Sequence, residues 1–138
     1  MKHALNVLVV DDSDFQADVL VSILEDFGIT EVTKAVNGLD ALKQFEGALL
    51  RGTPYSLVFL DIMMPEMDGQ EALKRMRMLE KAAGISDTDK TVIIMTTSLS
   101  SPDDMMTAIL EGDCTDYVVK PVAGNILKAT LIKYRLLD

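Results

Sequence analysis

The sequence predicts an α/β fold in which a five-stranded parallel sheet carries helices on both faces. Short apolar runs alternate regularly with stretches whose apolar residues recur every three to four positions, which is typical of strands and helices in turn. Three of the runs are continuously apolar, as expected of central parallel strands that are buried on both faces. No linker, repeat or low-complexity tract interrupts the 138 residues. We therefore expect a single domain spanning residues 1–138, large enough to bury one core.

The five strands are predicted from runs of apolar residues. The first covers residues 7–10, the third 57–60 and the fourth 92–96, and the continuously apolar runs are 7–10, 57–60 and 92–95. The second, at residues 31–36, alternates polar and apolar residues, which favours an edge of the sheet. The fifth is predicted at residues 116–119.

The helices are predicted between and after these strands. The first lies within "SDFQADVLVSILEDFG" and ends at Gly28; the second lies within "NGLDALKQFEGALL". The third lies within "GQEALKRMRMLEKAAG" and ends at Gly84, and the fourth begins at the Ser101 cap with Pro102 at its first position. The fifth covers roughly residues 122–135. The first helix has the most regular apolar pattern, formed by Phe15, Val19, Leu20, Ile23, Leu24 and Phe27.

Composition and charge exclude several classes of protein. The formal net charge is −9 and no basic stripe is present, which argues against direct binding to nucleic acid. No apolar segment approaches the roughly 18 residues of a membrane span, and the N-terminal run "ALNVLVV" is too short for a signal peptide. The single cysteine, Cys114, excludes an internal disulfide and suits a reducing compartment. We therefore expect a cytoplasmic protein without a membrane-inserted segment.

Charged and hydroxyl side chains follow the predicted strands at their carboxyl ends. Asp11 and Asp12 follow the first strand, Asp61 follows the third, and Lys120 follows the fifth, while the fourth ends in the hydroxyl-rich "MTTS". The carboxyl ends of parallel strands meet at one edge of the sheet, where ligands bind in open α/β folds, so we expect these side chains to form one acidic pocket.

A bound cation would explain why three carboxylates are expected in one pocket. Three carboxylates this close would repel each other, and all-oxygen ligands suit Mg²⁺. A carboxylate that faces an incoming phosphoryl group beside the metal could form an acyl phosphate, with Lys120 balancing the charge. Each residue also has a purely structural interpretation. Asp11 and Asp12 suit a helix N-terminus, Asp61 suits a turn, and Lys120 suits an ordinary loop.

Four stretches in order, "VLVVDDS", "LVFLDIMMPEMDG", "VIIMTTSLSS" and "DYVVKP", resemble the motifs of the CheY-like receiver domains of bacterial two-component response regulators. The resemblance runs from about residue 6 to residue 134. It implies a (βα)5 flavodoxin-like fold and an Asp61 that is phosphorylated from a histidine kinase or phosphotransfer protein. It also implies a signalling phosphoacceptor rather than an enzyme, since such a domain promotes only its own phosphorylation and dephosphorylation.

The same resemblance implies roles for individual residues. Asp12 and Asp61 would bind Mg²⁺ together with the backbone carbonyl of Met63, and Asp11 would support the metal through water. Lys120 would contact the phosphoryl group, and the peptide bond that follows it would be cis.

The resemblance further implies a hydroxyl switch and an aromatic switch. Thr96 and Thr97 both stand at the end of the fourth strand. We choose Thr97, because the small Ser98 follows it and the family has little bulk near the phosphoryl group. Tyr117, three residues before Lys120, matches the aromatic position, and simple half-burial is its structural alternative. Phosphorylation would draw the threonine hydroxyl to a phosphoryl oxygen and let Tyr117 rotate inward.

The output surface is expected on the fourth helix, fifth strand and fifth helix, where Met105, Met106 and Ile109 lie. This surface would bind an unknown downstream protein. Whether phosphorylation also produces a dimer is left open. Asp113 stands where the family has glycine, so the turn into the fifth strand is expected to differ. Because the chain ends about where the last helix ends, we expect a stand-alone receiver; a fragment of a larger regulator or hybrid kinase is the alternative.

Three other classes compete with this interpretation. A haloacid-dehalogenase-like phosphatase, a Mg²⁺-dependent enzyme that also forms an aspartyl phosphate, requires a second acid two residues after the nucleophile, where this chain has Met63. A flavin electron carrier requires a phosphate loop after the first strand, and "DDSDF" would repel a phosphate without a metal. A receiver-like scaffold that acts without phosphorylation would not need the complete set of acids.

Overall fold

The computed structural model describes residues 5–97 and 113–138. The strands are β1 (Val7–Val10), β2 (Val32–Ala35), β3 (Leu57–Asp61), β4 (Val92–Thr97) and β5 (Asp116–Val119). The helices in these ranges are α1 (Asp14–Asp26), α2 (Gly38–Leu50), α3 (Gly69–Ala82) and α4 (Gly124–Lys133). The helix predicted to begin at Ser101 lies outside the described residues.

The five strands form one parallel sheet in the order β2-β1-β3-β4-β5. The prediction of a parallel sheet is therefore confirmed, and so is the edge position of the second strand. The strand bounds differ from the predicted ones by at most one residue at either end. Asp61 and Thr97 are themselves the last residues of β3 and β4.

The sheet buries alternate side chains on its two faces. In β1, Leu8 and Val10 belong to the core on the α2/α3 face, whereas Val7 and Val9 belong to the core on the α1/α4 face. Phe45 of α2 is among the largest fully buried side chains on the α2/α3 face. Burial on both faces explains why the central strands are apolar at every position.

Polar side chains begin three of the four described helices. Ser13, Asn37 and Asp68 precede α1, α2 and α3, and each side chain accepts a hydrogen bond from a backbone N–H of the first turn. After α1 ends, the backbone turns at Gly28, whose φ of 83° is in the left-handed region that favours glycine. Gly84 follows α3 with a φ of 76°, so the predicted ends of the first and third helices are both confirmed.

The buried stripe of α1 differs from the predicted one. Phe15 is 77% exposed and Val19 is 41% exposed, while the buried positions are Ala17, Leu20 and Leu24. The spacing of large apolar residues predicted the helix correctly but not its orientation, because the small Ala17 is what packs against the sheet. In the described part of the chain, no helix is long and apolar enough to cross a membrane.

A buried ion pair joins α3 to the beginnings of β4 and β5, at the edge opposite the strand-end acids. Arg77 Nη1 donates to Glu80 Oε1 at 2.6 Å and to the carbonyl oxygen of Thr91 at 3.0 Å. Arg77 Nε donates to the carbonyl oxygen of Asp113 at 2.9 Å, and Glu80 Oε2 accepts from the Thr91 N–H at 2.7 Å. Both charged side chains are buried. They therefore fix the amino-terminal edge of the sheet to α3.

Asp113 adopts the backbone conformation that its position requires. Its φ is 61°, in the left-handed region, at the position where the family resemblance suggested a glycine. Aspartate tolerates this conformation better than most residues. Its carboxylate also pairs with Lys90 at 2.9 Å, which anchors the turn before β5.

Candidate functional site: an acidic pocket at the carboxyl edge

The loop after β1 holds Asp11 and Asp12. Asp11 Oδ1 accepts a hydrogen bond from the Ser13 N–H at 2.9 Å, which fastens its side chain to the loop just before α1. Asp11 is buried and Asp12 is exposed. The first carboxylate is therefore fixed by the fold, while the second faces solvent.

Asp61 ends β3 and is buried, at 5% exposure. Its Oδ1 accepts a hydrogen bond from the Met63 N–H at 3.1 Å. The loop then turns back so closely that the Gly69 N–H donates to the Ile62 carbonyl at 2.9 Å. A Cβ at Gly69 would overlap the carbonyl oxygen of Asp61 and lie 2.8 Å from its carbonyl carbon. Glycine is thus required where α3 begins against the strand that carries Asp61.

The three predicted carboxylates come together. Asp11, Asp12 and Asp61 each offer an oxygen atom, and these oxygens all lie within 4.8 Å of one another. Burial raises the pKa of Asp61 above its usual value, the positive charge of Lys120 opposes that rise, and the negative charge of Asp11 adds to it. The all-oxygen donor set and its excess negative charge are what a hard divalent cation such as Mg²⁺ requires.

Lys120 follows β5 and reaches into the same cluster. Its Nζ lies 2.8 Å from Asp11 Oδ2, 3.3 Å from Asp61 Oδ2 and 2.6 Å from Gln16 Oε1. The lysine side chain is only 10% exposed. The Lys120–Pro121 peptide bond is cis, as predicted. Sequence reasoning found the two carboxylate partners but missed Gln16, because nothing in the motifs marks a residue in the first turns of α1 as a neighbour of Lys120.

The register of the sheet separates the two candidate threonines. Asp61 is the register partner of Thr96, so the two residues share a face of the sheet, and alternation places Thr97 on the other face. Thr96 also lines a cavity of about 140 Å³ together with Asp11 and Lys120. Both threonines are buried. Thr96 thus lies on the face of Asp61, whereas Thr97, the residue that the sequence analysis chose, lies on the other face. The switch role of Thr97 stays a prediction.

The other predicted residues lie near β5 or outside the described ranges. Tyr117 is 37% exposed on β5. Tyr134, which the sequence analysis did not single out, follows α4 and donates a hydrogen bond from its hydroxyl to Asp116 Oδ2 at 2.7 Å. Ser98 and the methionine-rich surface predicted on the fourth helix (Met105, Met106 and Ile109) lie outside the described residues.

Comparison with known proteins matches this chain to one family. The model of the response regulator receiver domain matches residues 7–132. The chemotaxis protein CheY of Listeria monocytogenes is 32% identical over 126 residues, which cover 91% of this chain and 94% of that protein. Hybrid signal transduction histidine kinase L of Dictyostelium discoideum is 32% identical over 128 residues, which cover 93% of this chain but only 7% of the kinase.

Among solved structures, the receiver domain of the histidine kinase CKI1 from Arabidopsis thaliana, complexed with Mg²⁺ and BeF₃⁻, superposes with a TM-score of 0.76. It is 28% identical to this chain, and the match covers 91% of this chain and 88% of that one. The carboxyl-edge acids, the lysine after β5 and the strand order thus agree with the family match over nearly the whole sequence. This chain belongs to the response regulator receiver domain family and is a CheY-like receiver domain.

Proposed function

We propose that this chain is the phosphoacceptor of a two-component signalling system, in which Asp61 accepts a phosphoryl group in a Mg²⁺-dependent reaction. The observation that carries the proposal is the convergence of three carboxylates and one ammonium group at the carboxyl edge of the sheet. The donor would be the phosphohistidine of a sensor kinase or of a phosphotransfer protein. The domain would act by signalling, and it would promote only its own phosphorylation and dephosphorylation.

The metal site is assigned to residues of the loops after β1 and β3. Asp12 and Asp61 would hold Mg²⁺ with the backbone carbonyl of Met63, and Asp11 would act through water. When bound, Mg²⁺ would neutralise the carboxylates and the oxygens of the incoming phosphoryl group. The proximity of the three carboxylate oxygens supports this assignment, since without a cation they repel each other.

Asp61 would be the nucleophile. One of its carboxylate oxygens would form a bond to phosphorus while the bond from phosphorus to the donor nitrogen breaks, giving an acyl phosphate. The Met63 N–H and the Lys120 ammonium fix the two carboxylate oxygens before reaction. Lys120 would then contact an oxygen of the transferred group and offset its charge.

The structural response is assigned to Thr96 and Tyr117. We prefer Thr96 to Thr97 because Thr96 shares the face of Asp61 and lines the cavity beside Lys120. Its hydroxyl would bond a phosphoryl oxygen, and the half-exposed Tyr117 would turn inward. The response would reach a downstream protein through the surface expected from the sequence, which consists of the fourth predicted helix, β5 and the fifth predicted helix, here α4. The identity of that protein, and dimerisation on phosphorylation, stay open, and the proposed compartment is the cytoplasm.

Intact-mass measurement tests the proposal. The protein is incubated with acetyl phosphate, with Mg²⁺ or with a chelator. We expect the mass of one phosphoryl group to be gained only when Mg²⁺ is present. An unchanged mass in both conditions would support the unphosphorylated scaffold instead, and a gain that is equal with the chelator would contradict the role of the metal.

A further inference from the structure

We propose that Gln16 is a positioning residue for phosphoryl transfer, because it holds the ammonium group of Lys120 in place beside Asp61. This inference rests on the proposed function of Asp61 as phosphoacceptor. Gln16 lies in the first turn of α1 and carries no charge, so it can hold the ammonium without adding to the negative charge of the pocket.

The number of oxygens around Lys120 Nζ equals the number of N–H donors of its ammonium group. A lysine ammonium has three N–H bonds and no acceptor. Three oxygens from three parts of the chain lie around Nζ: Asp11 Oδ2 at 2.8 Å, Gln16 Oε1 at 2.6 Å and Asp61 Oδ2 at 3.3 Å. The contact to Gln16 is the shortest and the one to Asp61 the longest. Two close acceptors therefore anchor the ammonium and leave the third N–H for the reacting carboxylate.

The same division of contacts explains what Gln16 would do during the reaction. When Asp61 becomes an acyl phosphate, the N–H that was shared with Asp61 passes to a phosphoryl oxygen. Asp11 and Gln16 keep their two bonds, so the ammonium does not have to reorient. Preorganised donors of this kind act because the protein does not have to rearrange at the moment of reaction.

A purely structural role for the Gln16 side chain does not fit its surroundings. The side chain is exposed, and the helix cap uses only its backbone N–H, which donates to Ser13 Oγ at 3.3 Å. Any substitution except proline keeps that backbone bond. The side chain can therefore be changed without disturbing the start of α1.

The test compares Gln16→Met, which removes the acceptor and keeps the length, with Gln44→Met, the same change at a partly buried position on α2. Phosphorylation with acetyl phosphate and Mg²⁺ is followed by intact mass. We expect phosphorylation of Gln16→Met to be roughly three- to tenfold slower than that of the wild type, because the variant loses one solvent-exposed hydrogen bond to a charged donor. Phosphorylation of Gln44→Met should be as fast as that of the wild type. The urea midpoint of Gln16→Met should equal that of the wild type.

A second measurement reads the contact directly. The ¹⁵N NMR signal of the Lys120 ammonium, assigned by its loss in Lys120→Arg, should shift or broaden in Gln16→Met and stay unchanged in Gln44→Met. A wild-type rate in Gln16→Met, or a slower rate that comes with a lowered urea midpoint, would overturn the positioning role alone. If the wild type gains no phosphate at all, the proposed function fails, and the role of Gln16 fails with it.

Discussion

Asp61 and Thr96 are register partners on β3 and β4, and their side chains share the face of the sheet that α1 and α4 cover. The neighbouring Thr97 pairs with Val119 and lies on the opposite face by alternation. A hydroxyl that responds to phosphorylation of Asp61 has to reach its phosphoryl group. The pairing therefore supports the proposal that Thr96 is the switch residue.

Substitution of the two threonines distinguishes them. Thr96→Ala should largely abolish the phosphorylation-dependent change in the NMR signals of Tyr117, because one charge-assisted hydrogen bond of about 1.5–3 kcal/mol corresponds to a roughly 10- to 150-fold shift in a two-state equilibrium. Thr97→Ala is the matched control and should keep that change. The opposite pattern would restore the choice of Thr97.

Gly69 should not tolerate a side chain. A methyl group there would overlap the carbonyl of Asp61, which belongs to the backbone and cannot move aside cheaply. Gly69→Ala should lower the free energy of unfolding by about 1–3 kcal/mol, as overpacking does elsewhere, measured by urea denaturation. Gly47→Ala in the last turn of α2 meets only the flexible end of Arg51 and should be neutral or stabilising by about 0.5–1 kcal/mol. Equal effects of the two changes would contradict the close approach at Gly69.

The ion pairs of α3 should differ in their energies. Arg77→Met leaves Glu80 as an unpaired charge in a buried site and should lower the free energy of unfolding by about 3–5 kcal/mol. The exposed pair of Arg75 and Glu71 lies on the same helix, and Arg75→Met should cost less than about 1 kcal/mol. Urea denaturation of the two variants is the comparison. Similar losses would show that the buried pair does not fix the edge of the sheet.

Cys114 should be a poor nucleophile while the protein is folded. Burial raises the pKa of its thiol from the usual 9.0 to about 11, so the thiolate fraction near pH 8 falls by about a hundredfold. Alkylation by iodoacetamide at pH 8 should be slow for the native protein and fast in urea. The folded state keeps its proton between pH 9 and 11 while the unfolded state loses it, so this thiol should make stability fall as pH rises through that range. Fast alkylation of the native protein would contradict its burial.

The parts of the structure that depend on local sequence were predictable. The strands β1 and β5 have the predicted bounds, because in both an apolar stretch is followed at once by a charged residue, Asp11 or Lys120. The carboxylates and Lys120 were predictable too, since residues that follow parallel strands meet at one edge of the sheet.

The parts that depend on pairing between distant segments were not predictable. The choice between Thr96 and Thr97 requires the register of β3 against β4. Gln16 and Lys120 are 104 residues apart in the sequence, and no spacing rule connects them. The exposure of Phe15 likewise depends on which side of α1 meets the sheet, and the small Ala17 decides that orientation.

The central claim is that Asp61 itself carries the phosphoryl group, and chemical trapping tests it most directly. After incubation with acetyl phosphate and Mg²⁺, borohydride reduces an aspartyl phosphate to homoserine, and peptide mass spectrometry locates the changed residue. We predict homoserine at position 61 alone in the wild type and at no position in Asp61→Asn. Homoserine at another aspartate, or its persistence in Asp61→Asn, would contradict the account.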